Sequence, residues 1–246
     1  MSVIIITGAS RGIGSATART ASSFGYSVAV NYLNNKNAAN KVVAEILDLG
    51  GRAIAVQADV STEKGIKKLF KTTDKKLGTV TSLFANAGIV HKNSAITDYN
   101  VTTLEYIWRT NLTSQFLACR EAVTRMSLRN GGLGGAIVIM SSAAARLGGG
   151  SLMAYAASKG ASDTLTIGLA KEVAAQGIRV NAVRPGLINT NIHDNTGDFN
   201  RIQNLVSGVP LGRVGSPQEV ADTVLWLLSD SASYVTGSII DVSGGR

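Results

Sequence analysis

Two residues capable of acid–base chemistry, Tyr155 and Lys159, lie four positions apart in a helical stretch. Because a helix turns about 100° per residue, their side chains share one face. An ammonium group beside a phenol favours the phenolate and lowers the phenol's pKa from about 10, which makes the phenol a usable proton shuttle. The same pair is also common on an ordinary solvated helix face. The proton-transfer interpretation therefore depends on the rest of the chain.

Ser142 supports that interpretation from a second element. It follows an apolar run at residues 136–140 and precedes Tyr155 by thirteen residues. A hydroxyl at the carboxyl end of a buried strand can present a fixed dipole to a carbonyl oxygen on which negative charge develops. The alternatives are a Ser that bonds only to local backbone and the use of Ser141 in its place.

A glycine-rich turn formed by Gly8, Gly12 and Gly14 follows the apolar run 3–6 and opens a helical pattern that extends to about residue 24. A strand, a glycine turn and a helix in this order are typical of dinucleotide-binding sites. Gly8 permits the tight turn, Gly12 lets the backbone approach a pyrophosphate, and Gly14 allows close packing of the helix on the strand. The free N–H groups at the helix start then face the phosphates.

The end of the second predicted strand, at residues 28–31, bears on the choice of cofactor. NAD-specific sites have an acidic residue there that binds the ribose 2′-OH, whereas residues 31–36 contain none. Arg11, Asn31 and Lys36 can instead meet a 2′-phosphate. This pattern favours NADP(H), with NAD(H) as the alternative cofactor and an ordinary polar loop as the alternative interpretation.

The remaining elements alternate between apolar runs and helical patterns. Further strands are predicted at residues 53–57, 82–85, 136–140, 179–183 and 239–242, and helices at 36–49, about 61–77, 103–129, 154–176 and 217–228. This alternation predicts an α/β fold, a single doubly wound parallel sheet of the Rossmann type with helices on both faces, in one domain over residues 1–246. The long irregular segment 187–215 is predicted to be a substrate lid.

Composition limits the other functional classes. The lone Cys119 lies in an apolar helical stretch and is predicted to be buried, which fits a reducing compartment. No apolar run is long enough for a membrane span, no leader is evident, and a cytoplasmic protein without a metal site is predicted. The net charge of +8 comes without a nucleic-acid-binding motif. A lysine stripe on one helix is either a solvated face or a docking strip for an acidic partner; it consists of Lys64, Lys68, Lys71 and Lys75.

In order and spacing, these motifs resemble the short-chain dehydrogenase/reductase family over essentially the whole chain. The matching pieces are Thr7-Gly-Ala-Ser-Arg-Gly-Ile-Gly14, Asp59-Val60, Asn86-Ala87-Gly88, Asn111, Ser142, Tyr155-Ala-Ala-Ser-Lys159, and Pro185-Gly186 with Thr190. The resemblance implies NAD(P)-linked hydride transfer between a carbonyl and an alcohol. It also implies a homotetramer in which the helices carrying Asn111 and Tyr155 pack across subunits.

The resemblance also implies a role for each catalytic residue. Tyr155 is the proton donor in reduction and the base in oxidation, while Lys159 holds the nicotinamide ribose and lowers the pKa of Tyr155. Ser142 bonds the carbonyl oxygen, and Asn111 supports a water that links Lys159 to solvent. The residues implied in cofactor binding are Gly8, Ser10, Arg11, Gly12, Ile13, Gly14, Asn31, Asp59, Val60, Asn86, Ala87, Gly88, Tyr155, Lys159, Pro185, Gly186, Ile188 and Thr190. Of these, Asp59 can bond the adenine or cap the next helix, as Ser61 can.

Within the family, the pattern is nearest to 3-oxoacyl-(acyl-carrier-protein) reductases and to glucose 1-dehydrogenase-like enzymes. Such reductases often have Arg where Gln176 stands, near the expected site entrance, and a shorter loop than residues 130–135. We therefore expect a small carbonyl or alcohol substrate, with thioester reduction on an acyl carrier protein and a non-catalytic dinucleotide-binding regulator as the alternatives. The expected pocket combines Ser142, Tyr155, His91, Gly186 and residues 188–199, although we expect His91 and His193 to be exposed loop residues rather than substrate ligands.

Overall fold

Seven parallel strands form one sheet in the computed structural model, which describes residues 2–198 and 200–246. The strand order is β3-β2-β1-β4-β5-β6-β7. The strands are β1 (Val3–Ile6), β2 (Ser27–Tyr32), β3 (Arg52–Gln57), β4 (Ser82–Ala85), β5 (Gly135–Met140), β6 (Ile178–Pro185) and β7 (Ile239–Val242). Each lies within about two residues of its predicted position, and the predicted doubly wound parallel fold is confirmed.

The helices cover both faces of this sheet. They are α1 (Gly12–Ser23), α2 (Lys36–Asp48), α3 (Glu63–Lys76), α4 (Val101–Trp108), α5 (Ser114–Met126), α6 (Ala144–Leu147), α7 (Met153–Val173), α8 (Arg201–Val206) and α9 (Pro217–Leu228). Side chains of α3, α5 and α7 build the core on one face, and those of α1, α2 and α9 build it on the other. The central strand β1 is buried on both sides because Val3 and Ile5 point into the first core and Ile4 and Ile6 into the second.

The chain order places the carboxyl ends of the central strands around one crevice. From β1 the chain moves outward to β3 and then crosses back to β4, which pairs with the other side of β1. Ligands of open α/β sheets bind at such a reversal point. The glycine turn follows β1, Asn86 follows β4, and Ser142 follows β5, so all three lie at this edge.

Two predicted helices are interrupted. The helix expected over residues 103–129 is divided into α4 and α5 by the π-helical turn Arg109–Thr113 and is followed by the short 3₁₀ turn Leu128–Asn130. Such π-turns often occur at functional sites, and this one contains Asn111. The helix expected to end at residue 176 ends at Val173, and the 3₁₀ turn Ala174–Gln176 follows.

Three further expectations concern the lone cysteine, the segment 187–215 and membrane spans. Cys119 is buried, as predicted, and burial raises the pKa of its thiol to about 12. The segment 187–215 contains the 3₁₀ turn Asn191–Thr196 and α8, and the bridge between Ile188 and Gly215 joins its two ends. Among the described residues, no helix is both long and apolar enough to cross a membrane.

Candidate active site

The glycine turn has the backbone geometry that its sequence predicts. Gly8 and Gly12 have positive φ angles of 63° and 57°, a region that side chains strongly disfavour. A Cβ added at Gly14 would lie 2.7 Å from both Gly8 O and Asn86 Nδ2. Gly14 therefore lets α1 pack closely against the turn and the end of β4.

Hydrogen bonds from the adjoining strands hold this turn in place. Asn86 Nδ2 donates to Thr7 O at 2.8 Å, and the Thr7 hydroxyl accepts hydrogen bonds from the N–H groups of Asn86 and Ala87, each at 2.9 Å. The Gly8 N–H donates to Asn31 Oδ1 at 3.1 Å. The turn is therefore positioned before any ligand binds.

Asn31 does not have the role that the sequence suggested. Its side chain is buried, and Nδ2 donates to the main-chain oxygens of Val56 and Ala58 at 3.3 and 3.0 Å while Oδ1 holds Gly8. The expectation that Asn31 meets a 2′-phosphate is therefore wrong. Arg11 and Lys36, which were predicted with it, are exposed.

The residues at this edge fit a dinucleotide. No side chain caps the N-terminus of α1, so its first N–H groups point out beside Gly12. Thr190 lies across from them, since its Cγ2 would be 3.4 Å from a Cβ at Gly12. The other predicted cofactor residues lie in the same turn, in the first residues of α1, or at and after the carboxyl ends of other strands of the sheet; they are Ser10, Ile13, Asp59, Val60, Ala87, Gly88, Pro185, Gly186 and Ile188.

Two of these residues have side-chain contacts that refine the prediction. Asp59 Oδ1 accepts hydrogen bonds from the N–H and hydroxyl of Ser61, at 3.0 and 2.7 Å. Thr62, rather than Asp59 or Ser61, caps α3 by accepting from Gly65 N. The Ile188 side chain is buried in the core on the α9 side of the sheet.

Tyr155 and Lys159 lie on the same side of α7, as their spacing predicts. Lys159 Nζ lies 5.7 Å from the centroid of the Tyr155 ring and donates to Met140 O at 2.8 Å. Burial lowers the pKa of Lys159 to about 8, and the negative charge of Asp163 opposes this effect. The ammonium group therefore lies within 6 Å of the phenol ring, on the same side of the helix.

Of the two serines after β5, Ser142 has the more accessible hydroxyl. Ser141 is buried, and its hydroxyl donates to Lys159 O at 3.2 Å. Ser142 is only partly buried, and its Oγ accepts a bond from Ala144 N at 3.2 Å while its own proton can point elsewhere. This geometry supports the choice of Ser142 over Ser141.

Asn111 is fully buried and holds the segment that follows β4. Its Oδ1 accepts from Ile89 N at 2.7 Å, and its Nδ2 donates to Ile89 O at 2.9 Å and Ser158 Oγ at 3.2 Å. A Cβ added at Gly88 would lie 3.3 Å from Asn111 Oδ1 and 3.5 Å from Lys159 Nζ. The π-turn thus brings Asn111 to the same place as Lys159.

Three residues that the sequence did not single out support this arrangement. Gln115 Nε2 donates to Met140 O at 2.9 Å, so that this oxygen has two donors. Asp163, one helical turn after Lys159, accepts hydrogen bonds from Arg184 Nε and Nη2 at 3.0 and 2.6 Å. Asp163 is buried on the side of α7 that faces the sheet. A carboxylate at helical spacing from Lys159 is the signal in the sequence that could have pointed to it.

Gln176 lies far from this cluster. It precedes β6, and Gly177 O accepts from Gly135 N, the first residue of β5, at 3.0 Å. Ser142 follows the other end of β5, and a strand of this length spans about 17–20 Å. Within one chain, Gln176 therefore does not border the site entrance, and the expectation that it lies near the entrance is wrong for the site of its own chain.

His91 is not an exposed loop residue either. It is partly buried, and its Nδ1 has no hydrogen-bond partner among the described residues. His193 lies in the turn Asn191–Thr196, but its side chain is not among the described parts of the chain, and neither is Phe199.

The fold is a doubly wound parallel sheet with a glycine turn of the dinucleotide-binding type, and comparison with known proteins identifies the family. A family model described as "Enoyl-(Acyl carrier protein) reductase" matches residues 8–246. The chain belongs to the short-chain dehydrogenase/reductase family, in the group that includes 3-oxoacyl-(acyl-carrier-protein) reductases.

Individual relatives match over nearly their whole length. The uncharacterized oxidoreductase YgfF of Escherichia coli is 49% identical over 100% of both chains. A 3-oxoacyl-(acyl-carrier-protein) reductase of Synechocystis is 38% identical over 99% of this chain and 96% of that protein. A crystal structure of a short-chain type dehydrogenase/reductase from Mycobacterium marinum superposes with a TM-score of 0.92, at 33% identity over 99% of this chain and 94% of that one.

Proposed function

We propose that this protein is an NADP(H)-preferring oxidoreductase that interconverts a small carbonyl compound and its alcohol. The observation that carries the proposal is the convergence of Asn111, Tyr155 and Lys159 beside Gly88, with the accessible hydroxyl of Ser142 at the end of β5. A protein that only binds a dinucleotide has no use for a phenol beside a buried ammonium group.

Each side chain has a defined task in this proposal. Tyr155 donates a proton to the carbonyl oxygen in reduction and accepts it in oxidation, and the charge of Lys159 makes that transfer easier at neutral pH. The Ser142 hydroxyl donates to the same oxygen as its negative charge grows. Lys159 also holds the nicotinamide ribose, and the bound cofactor supplies the hydride. Asn111 fixes Ile89 and supports a water beside Lys159.

The preference for NADP(H) rests on charge at the end of β2. No carboxylate follows this strand in residues 33–36, and Arg11, at the start of α1, and Lys36, at the start of α2, are both exposed. We expect tighter binding of NADPH than of NADH. Arg11→Ala and Lys36→Ala should weaken NADPH binding and leave NADH binding unchanged, while Lys41→Ala, further along α2, is the control. Equal affinities of the wild-type protein for both cofactors would refute the preference.

Replacement of the phenol tests the catalytic assignment. Tyr155→Phe should lower the rate of NADPH oxidation by at least about a hundredfold and leave NADPH binding, measured by fluorescence titration, unchanged. Tyr234→Phe makes the same chemical change at a fully exposed residue and is the matched control. A Tyr155→Phe variant with near-normal turnover would overturn the mechanism.

Reduction of 3-oxoacyl thioesters is the second candidate function, and the relatives named as such reductases favour it. NADPH oxidation with a short 3-oxoacyl thioester, run beside aldehydes, ketones and keto-sugars, separates the two. Thioester reduction well above the panel would establish the second candidate. Turnover of any carbonyl would exclude a purely regulatory dinucleotide-binding protein.

The proposed assembly is a cytoplasmic homotetramer without nucleic-acid or membrane partners. Both helices that the family uses between subunits carry large apolar side chains at the surface, Phe116 on α5 and Ile167 on α7. Sedimentation velocity of the wild-type protein and of a Phe116→Glu/Ile167→Glu variant tests this. A monomeric wild-type protein would refute it.

A further inference from the structure

A cavity of about 420 Å³ lies beside the segment that leads from β4 to α4. This volume is in the range of small-molecule sites. Every residue that lines it has a polar or charged side chain, and His91, Asp98, Tyr99 and Thr103 are among them. Most ligand pockets are mainly apolar with a few polar groups, so the lining of this one indicates an unusually polar occupant.

The cavity begins close to the catalytic side chains. Gly88 borders Lys159 and Asn111, and His91 follows it by three residues, a reach of at most about 10 Å. The Asn111 side chain also holds both the N–H and the carbonyl of Ile89. The near wall of the cavity is therefore fixed to the residues that would carry out the reaction.

The same wall is tied to two other loops at the carboxyl edge. Asn93 N donates to Thr196 O at 3.0 Å, and Ser94 N donates to Ser151 O at 2.8 Å. Ser151 has a φ of 59°, an uncommon conformation for a residue other than Gly, in the loop between Ser142 and Tyr155. A molecule in the cavity would thus contact a rigid segment placed between the predicted lid and the Tyr155 helix.

One polar atom in the lining lacks a partner within the described chain. His91 Nδ1 is buried and makes no hydrogen bond there. Buried polar atoms are nearly always paired, and an unpaired one needs an explanation. This atom is closed to the cavity, so a substrate hydroxyl would bond the other ring nitrogen of His91, to which it can donate or from which it can accept according to the tautomer.

The charges of the lining indicate a neutral occupant. Lys92 and Asp98 contribute one positive and one negative charge, so the cavity does not favour an anion or a cation strongly. An acyl chain or a steroid would gain little from polar walls, because the hydrophobic contribution requires apolar surface to be buried.

We propose that the cavity beside His91 binds the hydroxylated part of an uncharged, sugar-like substrate while its carbonyl group is held at Tyr155. This inference rests on the proposed carbonyl–alcohol oxidoreductase function and names the substrate class for the same site. His91 determines specificity through a hydrogen bond to a substrate hydroxyl, and Thr103 contributes a second polar contact from the far wall.

The test compares erythrulose with 2-butanone, which has the same carbon skeleton and carbonyl position but no hydroxyl groups. Hydroxyacetone is the control for activation of the carbonyl by a neighbouring hydroxyl, since it has no hydroxyl further along the chain. We expect kcat/KM for erythrulose to exceed those for 2-butanone and hydroxyacetone by about tenfold or more, because sites built around a substrate hydroxyl reject analogues that lack it.

Variants locate the preference in the cavity. His91→Leu and Thr103→Val should lower kcat/KM for erythrulose by about tenfold and leave the value for 2-butanone within about twofold, whereas His91→Asn retains a hydrogen-bonding group and most of the preference. Ile96 is an exposed residue of the same segment outside the cavity, and Ile96→Ala should change kcat/KM for neither substrate.

The outcomes separate this inference from the function on which it rests. Turnover of 2-butanone or of a thioester with no preference for erythrulose would overturn the sugar-like substrate and leave the oxidoreductase function intact. An equal loss on both substrates in His91→Leu would show that His91 has only a structural role. No turnover of any carbonyl with NADPH or NADH would overturn both.

Discussion

The buried charge of Lys159 is expected to lower the free energy of unfolding. This effect can be measured separately from the role of Lys159 in the reaction. The side chain is almost fully buried, and its pKa is lowered from 10.5 to about 8 because burial disfavours the charged form. A change of this size corresponds to roughly 3 kcal/mol of unfolding free energy.

The sign follows from proton binding in the two states. Between pH 8 and 10.5 the unfolded chain still binds the Lys159 proton and the folded protein does not, so the free energy of unfolding rises with pH in this window. Below pH 8 both states are charged and the full desolvation penalty is present. Above pH 10.5 both states are neutral and the penalty has disappeared.

Lys159→Met removes the charge and keeps most of the side-chain volume. The hydrogen bond to Met140 O is lost, but Gln115 Nε2 still donates to that oxygen, so no buried acceptor is left unpaired. Asp163 likewise keeps Arg184 as its partner. We therefore expect the variant to be more stable than its parent by about 1–3 kcal/mol at pH 7 and to have almost no turnover.

The measurement is urea-induced unfolding, followed by far-UV circular dichroism at several pH values between 7 and 10.5. Tyr155→Phe should be the parent for both proteins, so that the titration of this phenol does not contribute. Protein concentrations must match, because an oligomer's stability depends on concentration. A stability difference that does not shrink between pH 7.5 and 10.5, or a variant less stable than its parent at pH 7, would refute the reasoning.

Three further substitutions test the support of the site. Asn31→Asp places a carboxylate oxygen against two main-chain oxygens and should lower the free energy of unfolding by about 2–4 kcal/mol; a pH-7 urea curve equal to wild type would contradict this. Gly14→Ala brings a methyl group within 2.7 Å of the turn and should weaken NADPH binding by at least about tenfold, measured by fluorescence titration on protein with a normal unfolding transition. Arg184→Met removes the arginine that pairs with the buried Asp163 and should lower the free energy of unfolding by about 3 kcal/mol. Arg19→Met breaks an exposed ion pair and should have a much smaller effect. Equal effects of the two substitutions would show that burial does not decide how much an ion pair contributes to stability.

The sheet could be predicted from the sequence because its central strands are buried on both faces. Each of these strands is then a short continuous apolar run, and the glycine turn and the helix caps mark where the runs end. The side of α7 that carries Tyr155 and Lys159 also followed from helix periodicity alone. The π-turn around Asn111 did not, since the apolar pattern continues through it and one extra residue per turn leaves no clear trace in the sequence.

Asn31 shows why residue type alone misled the assignment of cofactor contacts. All residues of β2 are buried, so a polar residue near its end can point inward as well as toward a ligand. Its amide nitrogen donates to the carbonyl groups of Val56 in β3 and of Ala58 just after it, and its amide oxygen accepts from the Gly8 N–H of the glycine turn. Only a side chain with both a donor and an acceptor is suited to this task. That pairing depends on the register of β2 with β3, which local sequence does not determine.

The position of Gln176 in the fold limits its influence on the choice of substrate. Its position follows from the direction of β6, which puts the turn directly before that strand at the amino edge and away from Ser142 of the same chain. Its amide accepts a hydrogen bond from the Ser127 hydroxyl at 2.6 Å and so joins the end of α7 to the end of α5. The identity of this residue therefore cannot decide which substrate enters the cleft of its own chain. Within one chain that choice belongs to the carboxyl edge, where the polar walls around His91 favour a hydroxylated substrate over an acyl chain.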